Sequence, residues 1–116
     1  MSLAVAQLFA ALPVKDIAAA VPWYERFAGR APDLVPHAGE ACWRMTPDAW
    51  IYVVVDGEHA GAGLVTLLIA DLDAFVDEVS ERGLAVGPTQ PVPPEGRQVA
   101  LTDPDGNRLK VAEVGG

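Results

Sequence analysis

Few side chains in this sequence are spaced for chemistry. Asp56-Gly57-Glu58-His59 brings two carboxylates and an imidazole together, donors that suit a divalent cation, but three neighbours on a flexible segment are not preorganised and read as a solvated linker. His37 also falls in a polar loop. A nucleophilic role for Cys42 would need a base beside it to hold the thiolate; none is adjacent, so it reads as a buried, inert thiol. Gly61-Ala62-Gly63 could cradle a phosphate only if a helix followed to supply free N–H groups, and none does. Asp105-Gly106 resembles part of a calcium loop, yet the ligand pattern does not continue, so it reads as a turn. What remains is an aromatic pair and a cation. Trp50 and Tyr52 can stack on a flat ligand, and Lys110 can meet a carboxylate or phenolate. The alternative, that the two rings cap the core while Lys110 extends to solvent, stays open.

The elements that must carry these residues come in two copies. Leu12-Pro13-Val14-Lys15-Asp16-Ile17, leading into Ala18 to Phe27, resembles Leu67-Leu68-Ile69-Ala70-Asp71-Leu72, leading into Asp73 to Arg82. Each copy reads as a strand, an acidic helix start and a helix ending near glycine. Asp16 and Asp71 suit the N-cap, where a carboxylate accepts from free backbone N–H groups, and Gly29 and Gly83 suit the left-handed residue past the C-terminus. Leu72, Phe75, Val76 and Val79 form one helical stripe; Ile17, Ala20, Val21, Tyr24 and Phe27 form the other. Pro22 is awkward there, because it removes a donor and kinks a helix.

Strand-like segments follow each helix: Leu34-Val35, Ala41 to Met45 and Trp50 to Val55 in the first copy, Ala85-Val86, Arg97 to Thr102 and Arg108 to Val114 in the second. Asp103-Pro104-Asp105-Gly106-Asn107 reads as a tight turn, Gly57 to Gly63 as a linker, and Pro88 to Gly96 as a long loop and lid. Alternation along the strands then predicts a helix-covered face with Ile51, Val53, Val55, Val99, Leu101, Leu109 and Val111. The opposite, open face takes Phe9 and Ala11; Trp50, Tyr52 and Val54; Leu64, Thr66 and Leu68; Gln98, Ala100 and Thr102; and Arg108, Lys110 and Ala112. A slip of one residue would invert every assignment. Trp43 is expected in the core and Trp23 between helix and sheet.

Composition bounds the rest. With 116 residues, 51% of them hydrophobic and 21% charged, the chain has the size and make-up of one globular domain, with modules at about 7–56 and about 63–114. Its apolar runs fall short of a membrane span, and Met1 to Ala10 lacks a basic start followed by an apolar stretch, so no secretory signal is read there. A lone cysteine excludes an internal disulfide and favours a reducing compartment, the cytoplasm. A net charge of −8 repels phosphate backbones and anionic lipid, so neither nucleic acid nor membrane is an expected partner.

A tandem βαβββ chain of this length resembles the vicinal-oxygen-chelate superfamily of glyoxalases, bleomycin resistance proteins and extradiol dioxygenases. Leu12-x-Val14-x-Asp16, then Trp23-Tyr24 and Ala28-Gly29, is similar to the family's first strand and helix, and Asp103 to Asn107 to its most recognisable turn. The resemblance runs from Leu8 to Glu113 and implies an α+β fold whose modules form an open, curved, mixed sheet. It also implies His or Glu metal ligands in the first and last strands of each module. Counting seven residues back from Asp16 and from Asp71 gives Phe9 and Leu64, and the last-strand positions are Tyr52 and Lys110. Those four cannot hold a divalent cation, so no metal or other cofactor and no catalytic residue is expected. The expected site is an apolar, aromatic cleft of Phe9, Trp50, Tyr52, Leu64, Thr66, Gln98 and Lys110 for a small organic ligand, antibiotic or metabolite, in a homodimer. Cationic glycopeptide ligands of the antibiotic-sequestering branch would suit the acidic surface, whereas Lys110 opposes them. A glyoxalase- or dioxygenase-like lyase, isomerase or oxygenase with a diverged site remains the alternative, with displaced ligands or with Tyr52 and Lys110 as acid and base. A structural or regulatory partner domain is a third.

Overall fold

The protein is described by a computed structural model covering residues 3–114. Two helices and eight strands follow the order read from the repeat: β1 (Leu8–Val14), α1 (Ile17–Ala28), β2 (Leu34–His37), β3 (Glu40–Thr46), β4 (Ala49–Val55), then β5 (Leu64–Leu68), α2 (Leu72–Glu81), β6 (Gln90–Val92), β7 (Gly96–Thr102) and β8 (Arg108–Glu113). Each module is a four-stranded mixed sheet, in the orders β1-β4-β3-β2 and β5-β8-β7-β6. The first strand of each module pairs in parallel with its last, a connection that the intervening helix makes possible by crossing one face. No helix among the described residues is long and apolar enough to cross a membrane.

Both helices begin where their carboxylates cap them. Asp16 accepts from the Ala18 N–H at 3.0 Å and Asp71 from the Ala74 N–H at 3.0 Å, each relieving one of the donors a first turn leaves free. Gly29 closes α1 at φ 75°, and Gly83 follows α2 at φ 89°, a region in which a side chain would strain the backbone. The expected stripes are the inner faces: Ala20, Tyr24 and Phe27 of α1 and Leu72 and Val79 of α2 are buried. Pro22 does not interrupt α1, because it lies on the exposed side. Ala18, whose carbonyl Pro22 leaves without its intrahelical donor, is an exposed residue too.

One cluster of buried side chains runs through both modules, and Phe27 of α1 meets Phe75 of α2 edge to face at 5.7 Å. Strand alternation fixes which side faces it. Leu12, Val14, Ile51 and Val53 in one sheet, and Val99, Leu101, Leu109 and Val111 in the other, lie under the helices and are buried. Their neighbours point the other way, in the expected register. Trp43 is fully buried against Tyr24, its indole N–H donating to the Arg30 carbonyl at 3.0 Å, and Trp23 stacks on Phe27 within α1.

Two expectations are corrected. No strand forms at Ala85-Val86; the edge strand β6 is Gln90–Val92, inside the stretch expected to be a loop. Its Pro91 offers no N–H, which an edge strand tolerates because one side needs no partner. Val55, expected on the helix-covered face, is 44% exposed at the end of β4, while Cys42 is buried as expected.

Candidate functional site

On the open face of the first sheet, three neighbouring strands line up an aromatic row. Phe9 of β1, Trp50 of β4 and Arg44 of β3 are register partners, which brings their side chains onto one face. The Phe9 and Trp50 rings stack at 5.4 Å and 8°, and the Arg44 guanidinium lies 5.6 Å from the Trp50 ring centre. Tyr52 meets Phe9 edge-on at 6.2 Å. The Trp50 indole N–H donates to the Gln7 side chain at 2.8 Å, and Arg44 is held at its far end by the Pro47 carbonyl. The row is therefore fixed from both sides yet open above: Phe9 is 48% exposed, and Trp50 and Tyr52 are half-buried.

Cys42 is the register partner of Tyr52 on the neighbouring strand and is buried beside it. Burial, and then the Glu40 carboxylate that its S–H faces at 3.5 Å, push the thiol up to about 11, so it is held as the unreactive thiol. Glu40 also faces His37 at 3.5 Å.

The second sheet presents a different open face. Thr66 partners Lys110, which also partners Ala100; Leu64 partners Arg108; and Gln98 partners Ala112. Leu64 and Leu68 are exposed, and Lys110 is half-buried. This face is aliphatic with two cations, where the first is aromatic. Of the residues expected in the cleft, the structure thus groups Phe9, Trp50 and Tyr52 in one patch and Leu64, Thr66, Gln98 and Lys110 in another. No hydrogen bond or ring contact among the described residues links the two patches.

Sequence reasoning missed Gln7 and Arg44. The signal for Arg44 was its two-residue spacing from Cys42, which needed the facing of β3 to be read. The Gln7 contact depends on the register of β1 against β4, which no local pattern reveals.

The positions that would carry metal ligands hold two hydrocarbons, a phenol and an ammonium group, a donor set that does not fit a divalent cation. No group of three or more His, Cys, Asp or Glu side chains is placed to hold a metal ion among the described residues. Asp56 and His59 do pair, at 2.8 Å, and this contact holds the Asp56 carboxyl below its usual range, but both are exposed and stand alone. A cavity of about 360 Å3 lies away from the aromatic row, between Met45, Thr46 and Ala49 of the first module and residues 66–69 of the second. Of the expected cleft residues, Thr66 alone lines it.

The other polar assembly is structural. Asp103 is 3% exposed and accepts five hydrogen bonds: from the Tyr24 hydroxyl at 2.6 Å, from the backbone N–H groups of Asp105, Gly106 and Asn107 at 2.9 Å each, and from the Asn107 side chain at 2.8 Å. Asn107, fully buried, then bridges the modules, donating to the Pro13 carbonyl and accepting from the Gly63 N–H, both at 2.7 Å. The turn read from the sequence is thus a clamp on α1 and β1.

Comparison with known proteins adds relatives to this geometry. The family profile described as Glyoxalase/Bleomycin resistance protein/Dioxygenase superfamily matches residues 6–111. The fold is similar to that of a glyoxalase/bleomycin resistance protein from Catenulispora acidiphila DSM 44928, with TM-score 0.89 and 37% identity over 94% of this chain and 98% of that one. It is also similar to TnmS3, an antibiotic binding protein from Streptomyces sp. CB03234, with TM-score 0.76 and 27% identity over 99% of each chain. Lactoylglutathione lyase from Agrobacterium tumefaciens shares the fold at TM-score 0.76, with 17% identity over 91% of each chain. No curated relative matches the chain.

Proposed function

Because the chain belongs to the glyoxalase/bleomycin resistance protein/dioxygenase superfamily, we propose that it is a metal-independent binding protein for a small organic ligand, an antibiotic or a metabolite, acting in the cytoplasm as a single-domain chain. One observation carries this reading: the Phe9–Trp50–Arg44 row is preorganised and exposed, and its Phe9 stands at a position where the resemblance implies a carboxylate or imidazole ligand. Such a surface gains free energy by covering an aromatic or apolar body. Sequestration needs affinity and no catalyst, and TnmS3, a relative matched over nearly its full length, is an antibiotic binding protein.

A homodimer completes the site. Each chain has an aromatic patch on one sheet and Leu64, Thr66, Gln98 and Lys110 on the other, and a second copy laid across the open faces sets the aromatic patch of one chain against the cationic patch of its partner. The exposed Phe9, Leu64 and Leu68 are the apolar surface such a contact would cover. In that cleft the rings bind the flat body and Lys110 meets an acidic group.

Thermal shift and calorimetry against a panel of aromatic antibiotics and acidic metabolites test this, with native mass spectrometry reporting oligomer, metal and retained ligand. A hit should bind without added metal, lose at least tenfold in affinity in Trp50→Ala, and lose less in Lys110→Ala. Stoichiometric zinc, nickel, manganese or iron that survives dialysis and is required for binding or turnover would overturn it.

A further inference from the structure

The two modules meet at two pseudo-equivalent places, and only one is filled. In the repeat, Pro13 corresponds to Leu68, and Asn107, three residues before Lys110, corresponds to Ala49, three before Tyr52. At the first joint the carboxamide of Asn107 donates to the Pro13 carbonyl, which also accepts from the Gly61 N–H at 3.1 Å. At the second, position 49 has only a methyl group. The acceptor half of the missing amide is supplied locally, since the Leu8 N–H donates to the Asp48 carbonyl at 2.8 Å. Among the described residues, no donor half is supplied. Leu68 is the register partner of Ala112, and the Ile69 N–H, not that of Leu68, donates to the Ala112 carbonyl at 2.8 Å. In a parallel pair this turns the Leu68 C=O away from β8, toward the first module. The space left there is the 360 Å3 cavity, lined by Met45, Thr46 and Ala49 and by residues 66–69.

We propose that this cavity is a second binding site, sharing Thr66 with the open-face cleft but not its aromatic row or Lys110, for a small primary amide with an apolar body. Its N–H2 group takes the place of the Asn107 carboxamide and donates to the Leu68 carbonyl. Its ring or alkyl part lies against Met45, Leu67 and Ile69, and its oxygen faces the Thr46 and Thr66 hydroxyls at the rim. The filled joint shows which chemistry satisfies the empty one.

Titration of 15N-labelled protein with benzamide, followed by amide chemical shifts, tests this independently of the ligand proposed above. Saturable shifts should appear at residues 45–49 and 66–69 and not at Phe9, Tyr52 or Lys110. N,N-dimethylbenzamide, which has no N–H donor, should bind at least fivefold more weakly. Ala49→Asn should supply the amide internally and weaken benzamide at least tenfold; if that variant does not fold, Ala49→Val should block the cavity to the same effect. Shifts confined to Phe9, Tyr52 and Lys110, equal response to the dimethyl analogue, or binding unchanged in the folded position-49 variant would overturn the assignment.

Discussion

The two modules share strand order, helix caps and register but differ in their turns and open faces. In the second, the turn between β7 and β8 is built around Asp103 and reaches across to grip Tyr24 and Pro13. In the first, the corresponding connection is the short Pro47-Asp48 turn, whose side chains stay at the surface. The open faces divide the opposite way, with the aromatic row on the first sheet and the aliphatic surface with Lys110 on the second. Residues that repeat between modules make the framework. Those that differ are either the clamp that joins the modules or the surface proposed to bind.

The clamp gives the largest predicted effect. Asp103→Ala strands the Tyr24 hydroxyl and several buried N–H groups, so urea denaturation should show a loss of about 3 kcal/mol or more. Asp48→Ala, in the surface turn of the first module, should stay within about 0.5 kcal/mol. Similar costs at the two sites would break the comparison. The glycines of the linker between the modules offer a second contrast. Gly61 has φ 87°, and a side chain there would run into the Asp105 carbonyl, whereas nothing lies within 4 Å of the corresponding point on Gly57. Gly61→Ala should therefore lower stability by about 2 kcal/mol, while Gly57→Ala should raise it slightly, by up to about 0.5 kcal/mol.

The framework was legible in the sequence because its signals are local. Asp16, Asp71, Gly29 and Gly83 act within one helical turn, and Ile51-x-Val53 against Trp50-x-Tyr52 is a period of two. The clamp was only half legible: Asp103 to Asn107 read as a turn, but nothing nearby announces that Asn107 bonds to Pro13, 94 residues away, or that Asp103 bonds to Tyr24, 79 away. Strand β6 was misplaced for the opposite reason. Pro91 and the Pro93-Pro94 pair argue against a strand locally, and only pairing with Gly96 to Gln98 makes one. On the open face, alternation found Phe9, Trp50 and Tyr52 but not Arg44 or Gln7, whose contacts depend on cross-strand register.

Tyr24 separates the clamp from the open face in solution. Burial, and then its hydrogen bond to Asp103 and the Asp103 charge, push its phenol far above the ordinary 10.0. The unfolded chain ionises there from about pH 10 while the folded one does not, so this contribution to stability is intact below that pH and declines above it. Tyr24 should give no tyrosinate absorbance until the chain unfolds, and Tyr24→Phe should cost about 1 kcal/mol, removing one of the hydrogen bonds to Asp103. Early ionisation of Tyr24 would mean that the clamp opens in the folded protein.

A comparably small effect falls where the modules match in register but not in burial. Cys42 faces Tyr52 as Ala100 faces Lys110, yet Cys42 is buried and Ala100 exposed. Cys42→Ala should restore the match at a cost of about 1 kcal/mol, that of a small buried side chain. The thiol, pushed up from 9.0 to about 11, loses its proton more readily in the unfolded chain, so the stability it confers is full below pH 9 and is lost as pH rises through 11. Reaction of the native protein with a disulfide reagent should accordingly be slow at pH 8 and rise about tenfold per pH unit toward 11, as the thiolate fraction does. A ligand on the aromatic row should slow it further, because Cys42 sits beside Tyr52 on the same face. Fast labelling at neutral pH would mean that the sheet opens at Cys42, and the row beside it would then not be the rigid surface on which the proposed binding depends.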